Sequence, residues 1–307
     1  MKLANSSVAA LRAVFSQPTL ARHCMKIMTS MNLANGSMVL AGSGFDSGSQ
    51  DALNALAGAG LINKADGRVS FTAEGAFVSD SFRECHWLLE RENRLHGYDK
   101  IPAMVSSEFT GDVLEVGSGF GCNLVSLAPY AQRRVGLDVI EVYLQLSGML
   151  SEFCGVTPPE MIAGSGDHLP FANESFDHVL MCGSMQYLPM PQAFKEAHRV
   201  LRPGGRAVVV VGYWMAQVRD TLEALGQGSL RGAISGAVTC LESALYELTL
   251  RRFNEFTPGE AMPRTIFPRV GFLKRLAERS GFEIDPVKTV VWQDELYLVL
   301  HKRPAST

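Results

Sequence analysis

The sequence lacks several features that would assign it to a special class of protein. Its 307 residues contain no run of 18 apolar residues, and 28 basic against 31 acidic side chains leave a formal charge of only −3. The first 20 residues show no continuous apolar core followed by a small-residue cleavage site. We therefore expect a cytoplasmic protein with no membrane partner and no global field that would attract nucleic acid.

Cysteine is also too sparse to indicate a disulfide framework or a metal site. No Cys-x-x-Cys pair and no Cys/His cluster has the spacing of metal ligands. The six cysteines are scattered: Cys24, Cys85, Cys122, Cys154, Cys182 and Cys240. We predict reduced thiols and no bound metal. Apolar residues, by contrast, make up 47 % of the chain, enough to fill one large or two modest domains.

The most informative segment is rich in glycine and follows an apolar run. Gly117, Gly119 and Gly121 occupy every second position after Val113-Leu-Glu-Val116. Such glycines let the backbone bend tightly and let a ligand approach closely. Asp138 ends the next apolar run, 21 residues after Gly117, where a carboxylate can accept hydrogen bonds from both hydroxyls of a ribose. The pair predicts a site for a nucleotide-type cofactor.

Two cofactors fit this pattern, a nicotinamide dinucleotide and S-adenosylmethionine. The dinucleotide fingerprint Gly-x-Gly-x-x-Gly/Ala requires a small residue at position 122, where this chain has Cys122. The third glycine of this chain, Gly121, comes one residue too early for that fingerprint. The spacing therefore favours S-adenosylmethionine, although a flexible glycine loop with a solvated carboxylate remains the alternative.

From residue 110 onward, short apolar runs alternate with segments of helical period, which predicts a mostly parallel sheet with helices on both faces. After a helix over Phe272–Ser280, Phe282–Val291 and Glu295–His301 predict a terminal antiparallel hairpin. The other expected strands are Val113–Val116, Arg134–Leu137, Glu160–Ile162, His178–Met181 and Ala207–Val211. We therefore predict an α/β fold, a Rossmann-like sheet of seven strands.

Four segments resemble, in order, the motifs of the class I S-adenosylmethionine-dependent methyltransferases, and the resemblance covers most of residues 110–302. They are Glu115-x-Gly117-x-Gly119-x-Gly121, then Val135-Gly-Leu-Asp138, then Gly166-Asp167-His168-Leu-Pro-Phe171 with Ser175-Phe-Asp177, and finally Ala197-His-Arg-Val-Leu-Arg-Pro-Gly-Gly-Arg206. The resemblance implies S-adenosyl-L-methionine as cofactor, S-adenosyl-L-homocysteine as product, and methyl transfer as the reaction.

The resemblance also implies roles for individual residues. Glu115 would orient the glycine loop or reach the methionine amino group, and Asp138 would accept from the ribose. Asp167 would accept from the adenine amino group, unless it only caps a turn, and the backbone of His168 would complete the adenine edge. The full expected cofactor set is Glu115, Gly117, Ser118, Gly119, Gly121, Asp138, Val139, Gly166, Asp167, His168, Cys182 and Gly183.

The end of the fourth strand faces the reacting sulfonium in this family, so we expect acceptor contacts there. The candidates are Tyr98, Ser184, Gln186, Tyr187 and Trp214, each of which could equally be polar packing. The weak catalytic candidates are His96, Tyr98 and Gln186. Residues 212–300 contain no histidine, whereas plant-type O-methyltransferases carry a catalytic His-x-Trp motif there. Methyl transfer would therefore depend on alignment, with at most a weak general base.

Residues 1–105 predict a separate, mainly helical domain with a connecting helix. A helix over residues 51–61, an Asp-Gly turn, a short strand and a helix capped by Thr72 outline a winged helix. This part loosely resembles the N-terminal domain of small-molecule O-methyltransferases of plants and of bacterial secondary metabolism, which implies a homodimer and substrate enclosure. Residues 51–84 carry three basic against five acidic side chains, which disfavours DNA binding.

Residues 106–307 would then form the methyltransferase domain, with a helical lid over about 212–270. The leading hypothesis is methylation of a small, fairly apolar acceptor at oxygen, nitrogen or carbon in secondary metabolism. Two alternatives remain from the sequence alone. One is a cofactor-bound protein that catalyses another reaction, such as a cyclisation, and the other is a cofactor-sensing winged-helix regulator.

Overall fold

The computed structural model describes residues 3–34, 36–39, 47–92, 95, 101–252 and 264–303. The chain divides into two compact units. The first unit holds residues 1–96, 119–128 and 140–161, and the second holds residues 97–118, 129–139 and 162–307. The boundary near residue 105 stays a prediction. Within the described ranges no helix is long and apolar enough to cross a bilayer, and no group of three His, Cys, Asp or Glu side chains could hold a metal ion.

The first unit combines helices with a small antiparallel sheet of order β1-β3-β2. Its elements are α1 (Asn5–Phe15), α2 (Pro18–Leu33), β1 (Ser37–Val39), α3 (Ser47–Gly58), β2 (Ile62–Ala65), β3 (Arg68–Phe71), α4 (Ala73–Glu90), α5 (Cys122–Ser126) and α6 (Glu141–Phe153). The left-handed backbone of Asp66 and Gly67 forms the expected turn, and the hydroxyl of Thr72 caps α4. The outlined helix, turn, strand and helix correspond to α3, the Asp66–Gly67 turn, β3 and α4, whereas β1 and β2 were not expected, and the winged-helix assignment itself stays a prediction.

Gly75 in the first turn of α4 leaves room for a backbone carbonyl. A β-carbon at this position would lie 1.8 Å from the carbonyl oxygen of Leu61, which also accepts a hydrogen bond from the Thr72 amide. We expect Gly75→Ala to lower the free energy of unfolding by about 2 kcal/mol, because this backbone contact has to open. Urea denaturation measures the change.

The matched control for Gly75 is Gly58, the last residue of α3. A β-carbon there would meet no atom within 4 Å, so Gly58→Ala should leave stability unchanged or slightly raised by the better helix propensity of alanine. Equal urea midpoints for the two variants would contradict the steric argument.

The second unit is built on a mixed sheet in the order β10-β11-β8-β7-β4-β5-β6, with β9 also paired to β11. Its strands are β4 (Gly111–Val116), β5 (Ala131–Asp138), β6 (Glu160–Ala163), β7 (Phe176–Cys182), β8 (Leu201–Gly212), β9 (Phe282–Ile284), β10 (Val290–Trp292) and β11 (Glu295–Lys302). β4 runs parallel to β5 and β7, β7 runs parallel to β8, and β11 runs antiparallel to β8. The mostly parallel sheet and its antiparallel end are confirmed.

The prediction of one continuous strand over Phe282–Val291 is wrong. The chain leaves the sheet after β9, because Asp285 folds back and its carboxylate accepts hydrogen bonds from the amides of Val287 and Lys288, both at 2.9 Å. It returns as β10, and both segments pair with β11. Eight strands therefore fill the seven positions expected from the sequence, with the outermost position interrupted.

Four further helices belong to the second unit: α7 (Met190–Val200), α8 (Trp214–Gly226), α9 (Leu230–Thr249) and α10 (Val270–Arg279). Helices α7 and α10 bury apolar side chains such as Phe194 and Leu273 in one core with the sheet residues Val209 and Leu298. Tyr246 of α9 joins the same core. The sheet is thereby held as a rigid support for the loops that follow β4, β5, β6 and β7.

Candidate active site

The candidate site lies where the parallel strands end, the usual ligand-binding edge of such a sheet. The loops after neighbouring strands are tied together by backbone hydrogen bonds. The amide of Gly117 after β4 donates to the carbonyl of Leu137 in β5 at 2.7 Å. The amide of Gly164 after β6 donates to the carbonyl of Asp138 at 3.0 Å. Three of the predicted motifs therefore meet at one edge.

The loop after β7 joins the same edge through Ser184. Its hydroxyl donates to the carbonyl of Val116 at 2.5 Å, and a β-carbon on Gly117 would lie 2.3 Å from the Ser184 β-carbon. Gly166 is packed just as closely, since a β-carbon there would lie 2.5 Å from a methyl of Val116 and 2.7 Å from Leu188. Only glycine fits at positions 117 and 166, because neighbouring loops fill the space that a side chain would need.

Three predicted carboxylates lie at this edge with different exposure. Glu115 is 2 % exposed on the central strand β4, and Asp138 is 6 % exposed at the end of β5. Asp167 is half-buried, with its carboxylate 3.4 Å from Nδ1 of the exposed His168. Buried carboxylates are retained where donors reach them. Ribose hydroxyls, an ammonium group and an adenine amino group are such donors.

The glycine loop and the β7 loop show the backbone that a closely held ligand requires. Gly119, Gly121 and Gly183 have left-handed φ values of 53°, 80° and 73°, and a β-carbon on Gly183 would meet no atom within 4 Å. The hydroxyl of Ser118 is buried and has no hydrogen-bond partner within the described ranges. The remaining expected residues Val139 and Cys182 follow β5 and end β7. This donor and acceptor set fits a nucleoside cofactor with an amino-acid tail.

The structure gives the predicted acceptor residues partners within the protein. A short 3-10 helix, Met185–Tyr187, follows β7. Oε1 of Gln186 accepts from the amide of Gly212 at 3.2 Å, and the Tyr187 hydroxyl lies 3.0 Å from Oγ1 of Thr265. Trp214 begins α8 and is half-buried. His96 and Tyr98 lie outside the described residues. Contact between any of these residues and an acceptor stays a prediction.

The sequence analysis missed two residues, Tyr246 of α9 and Arg252 just after it, that contact the segment from Gln186 to Met190. The Tyr246 hydroxyl accepts from the amide of Met190 at 2.9 Å. The guanidinium of Arg252 donates to the carbonyls of Gln186 and Arg264. Burial lowers the pKa of Arg252 and raises that of Tyr246. A charged residue after the largely apolar α9 is a signal that could have identified Arg252.

Known proteins resemble this chain over the same region. Residues 114–209 match a family model described as a methyltransferase domain. The uncharacterised methyltransferase YcgJ of Bacillus subtilis is 28 % identical over 103 residues, which cover 33 % of this chain and 40 % of YcgJ. The demethylmenaquinone methyltransferase of Renibacterium salmoninarum is 39 % identical over 99 residues, which cover 32 % of this chain and 39 % of that protein.

The crystal structure of YcgJ superposes with a TM-score of 0.44 at 13 % identity, over 72 % of this chain and 99 % of that chain. The chain spans less than half the length of the curated relatives that it matches. The match of residues 114–209 to a methyltransferase domain supports a class I, S-adenosylmethionine-dependent methyltransferase with S-adenosyl-L-methionine as its cofactor. The matched region contains the three predicted cofactor carboxylates.

Proposed function

We propose that this protein transfers a methyl group from S-adenosylmethionine to a small-molecule acceptor. The observation that carries the proposal is the meeting of four loops at one sheet edge, within the segment that matches a methyltransferase domain. Asp138, Glu115 and Asp167, which we expect to bind the ribose, the methionine part and the adenine, lie at or beside these loops, near the turn that follows β7.

Bound S-adenosylmethionine supplies an electrophilic methyl group on its sulfonium. The protein's task is then to hold the cofactor and to orient the acceptor, since alignment alone contributes on the order of 7–11 kcal/mol at best. Asp138 binds the ribose, Glu115 orients the loop or the amino group, and Asp167 binds the adenine edge in this proposal. Gln186 carries an amide, which cannot accept a proton near neutral pH, so its role is to orient the acceptor.

We infer a fairly apolar acceptor in secondary metabolism, methylated at oxygen, nitrogen or carbon. Helices α8 and α9 support an apolar acceptor, because both lie in the segment predicted as a lid. Tyr246 of α9 also accepts a hydrogen bond from the amide of Met190, close to the Met185–Tyr187 turn where acceptor contacts are expected. Relatives from Renibacterium salmoninarum and Oryza sativa are named for demethylmenaquinone and 2-methyl-6-phytyl-1,4-hydroquinone. Quinols and phenols are therefore the first acceptors to test. Homodimerisation stays a prediction.

The test is release of S-adenosylhomocysteine by the purified chain with a panel of phenols, quinols, amines and carboxylic acids. Mass spectrometry of each acceptor should show one added methyl group for each S-adenosylhomocysteine formed. Conversion of an acceptor without S-adenosylhomocysteine, or cofactor binding with no methylated product from any class, would contradict methyl transfer.

Asp138→Ala should weaken S-adenosylmethionine binding by about 1–3 kcal/mol, or roughly 5- to 150-fold, because a charged hydrogen-bond acceptor is lost. Calorimetric titration measures the dissociation constant. Asp51→Ala is the control, since Asp51 is an exposed carboxylate in α3 and should bind the cofactor like the wild type. An unchanged dissociation constant for Asp138→Ala would remove the ribose assignment.

A further inference from the structure

Two cysteine side chains meet inside the first unit, beside the glycine loop. Cys85 of α4 is fully buried, and Cys122, which begins α5 directly after Gly121, is half-buried. Their sulfur atoms are 3.8 Å apart. A disulfide requires about 2.05 Å between the sulfurs, so these two have to approach by roughly 1.8 Å to form one. Neither thiol has a role in the proposed binding of the cofactor.

The two thiols differ in a way that suits stepwise oxidation. Cys122 is partly accessible to solvent, so a small oxidant such as hydrogen peroxide can reach it. Burial raises the pKa of Cys85 well above its ordinary value, which keeps this thiol protonated and protects it from direct oxidation. An accessible cysteine beside a second, resolving cysteine is the usual arrangement for reversible thiol oxidation.

Helix α4 contacts the glycine loop at two further points. A β-carbon on Gly119 would lie 3.7 Å from the hydroxyl oxygen of Ser81, and the ring of Phe120 packs edge-to-face on Phe82 with centroids 5.7 Å apart. Phe120 is only 2 % exposed. The loop from Gly119 to Cys122 is therefore packed against α4, and close packing transmits a displacement instead of absorbing it.

We propose that Cys85 and Cys122 form a reversible disulfide on exposure to hydrogen peroxide, and that this bond weakens binding of S-adenosylmethionine. The thiolate of Cys122 first attacks the peroxide, which breaks the O–O bond, leaves a sulfenic acid on Cys122 and releases hydroxide. The sulfur of Cys85 then attacks the sulfur of Cys122. The S–S bond forms as the S–O bond breaks, and the proton of Cys85 leaves with the hydroxyl group as water. Overall, two thiols lose two electrons and two protons, and one peroxide becomes two waters.

The disulfide acts on the cofactor through the start of α5. It draws Cys122 towards α4 and so displaces the loop that holds Gly119 and Gly121 in left-handed backbone. Both glycines belong to the expected cofactor set, so this effect rests on the assignment of S-adenosylmethionine, whereas disulfide formation itself does not. Thermodynamic linkage requires the reverse effect as well: bound cofactor favours the two free thiols and opposes their oxidation.

The first experiment treats the reduced full chain with hydrogen peroxide, blocks the remaining thiols with N-ethylmaleimide and maps the tryptic peptides by mass spectrometry. Trypsin leaves Cys85 in peptide 84–91 and Cys122 in peptide 101–133, each without another cysteine. We expect these two peptides to be joined within one chain and to separate in dithiothreitol. Cys24→Ala is the matched control, because Cys24 is equally buried in the same unit and its loss should leave the joined peptides unchanged.

The second experiment measures the effect on the cofactor by calorimetric titration with S-adenosylmethionine after the peroxide is removed. The dissociation constant should rise about tenfold in the disulfide form, within the usual range for two coupled sites, and should return on reduction. Cys85→Ala should bind the cofactor like the reduced wild type and form no joined peptide. S-adenosylmethionine added before the peroxide should slow formation of the disulfide in the wild type.

Three results would overturn the proposal. One is peptide 101–133 recovered unlinked, with Cys122 either alkylated or oxidised to the sulfinic acid. Another is a link from this peptide to peptide 135–195, which holds Cys154 and Cys182, or to a second chain. The third is an unchanged dissociation constant once the disulfide has formed. If the reduced chain binds no S-adenosylmethionine, the cofactor assignment fails instead, and the peptide map still decides whether the disulfide forms.

Discussion

Gly117→Ala should lower the free energy of unfolding by about 3 kcal/mol and weaken S-adenosylmethionine binding. Two costs add at this position. The backbone has a φ of 72°, which costs an L-residue about 1–2 kcal/mol. The new β-carbon would also lie 2.3 Å from the β-carbon of Ser184, and such overpacking costs about 1–3 kcal/mol. Urea denaturation and calorimetric titration with the cofactor measure the two effects.

The chain offers a matched control and a rescue for this variant. Gly183 has nearly the same φ, 73°, but a β-carbon there meets no atom within 4 Å. Gly183→Ala should therefore show the backbone cost alone, about 1–2 kcal/mol. Adding Ser184→Gly to Gly117→Ala removes the colliding atom and should restore much of the stability. If Gly117→Ala and Gly183→Ala unfold alike, the contact between the β4 and β7 loops does not limit position 117.

The sequence predicts the strands beside the candidate site where local patterns are sufficient. Apolar runs such as Val113–Val116 and His178–Met181 lie within β4 and β7, because central parallel strands are buried on both faces and read as continuous apolar segments. Gly117 then follows β4, and Asp138 ends β5, by position alone. Helix α7 was equally readable, since Phe194 and Ala197 repeat at helical spacing on the buried face.

Contacts between distant segments could not be predicted in this way. The break between β9 and β10 is a different case, because it is local: Asp285-Pro286 is a turn signal that the sequence analysis overlooked, and the Asp285 carboxylate accepts from the amides of Val287 and Lys288. The contact of Arg252 with the carbonyl of Gln186 joins residues that lie 66 positions apart. Contact of Gln186 and Tyr187 with an acceptor also remains a prediction. Their partners in the structure, Gly212 and Thr265, lie in or next to the predicted lid segment 212–270, far from these two residues in sequence.

Acidification should destabilise the protein through His178 in β7. Burial, with the cationic Arg206 as a second cause, lowers the pKa of His178 from 6.5 to about 4. The folded state therefore binds this proton less readily than the unfolded state does. The contribution of His178 to stability is complete above about pH 6.5 and is lost as the pH falls towards 4, by about 3 kcal/mol in total.

Other groups make a matched comparison necessary for this prediction. Burial also lowers the pKa values of His86 and His198, so they act in the same direction. The pKa values of Glu108 and Asp177 are lowered, so these carboxylates stabilise the folded state when ionised. That stabilisation is lost as the pH falls below the ordinary carboxylate range. His178→Leu removes one titrating group and should reduce the loss of stability between about pH 7.5 and 4 by about 3 kcal/mol in urea denaturation.

The exposed His168 provides the control for removal of a histidine, since its side chain is 82 % exposed. His168→Asn should lose stability on acidification in parallel with the wild type. If the free energy of unfolding of His178→Leu also falls with pH as steeply as that of the wild type, the imidazole of His178 does not resist protonation in the folded chain. A smaller slope for His178→Leu alone would assign the acid sensitivity to the buried contacts of His178 with Phe109 and Arg206, whose guanidinium lies 4.3 Å from the Phe109 ring.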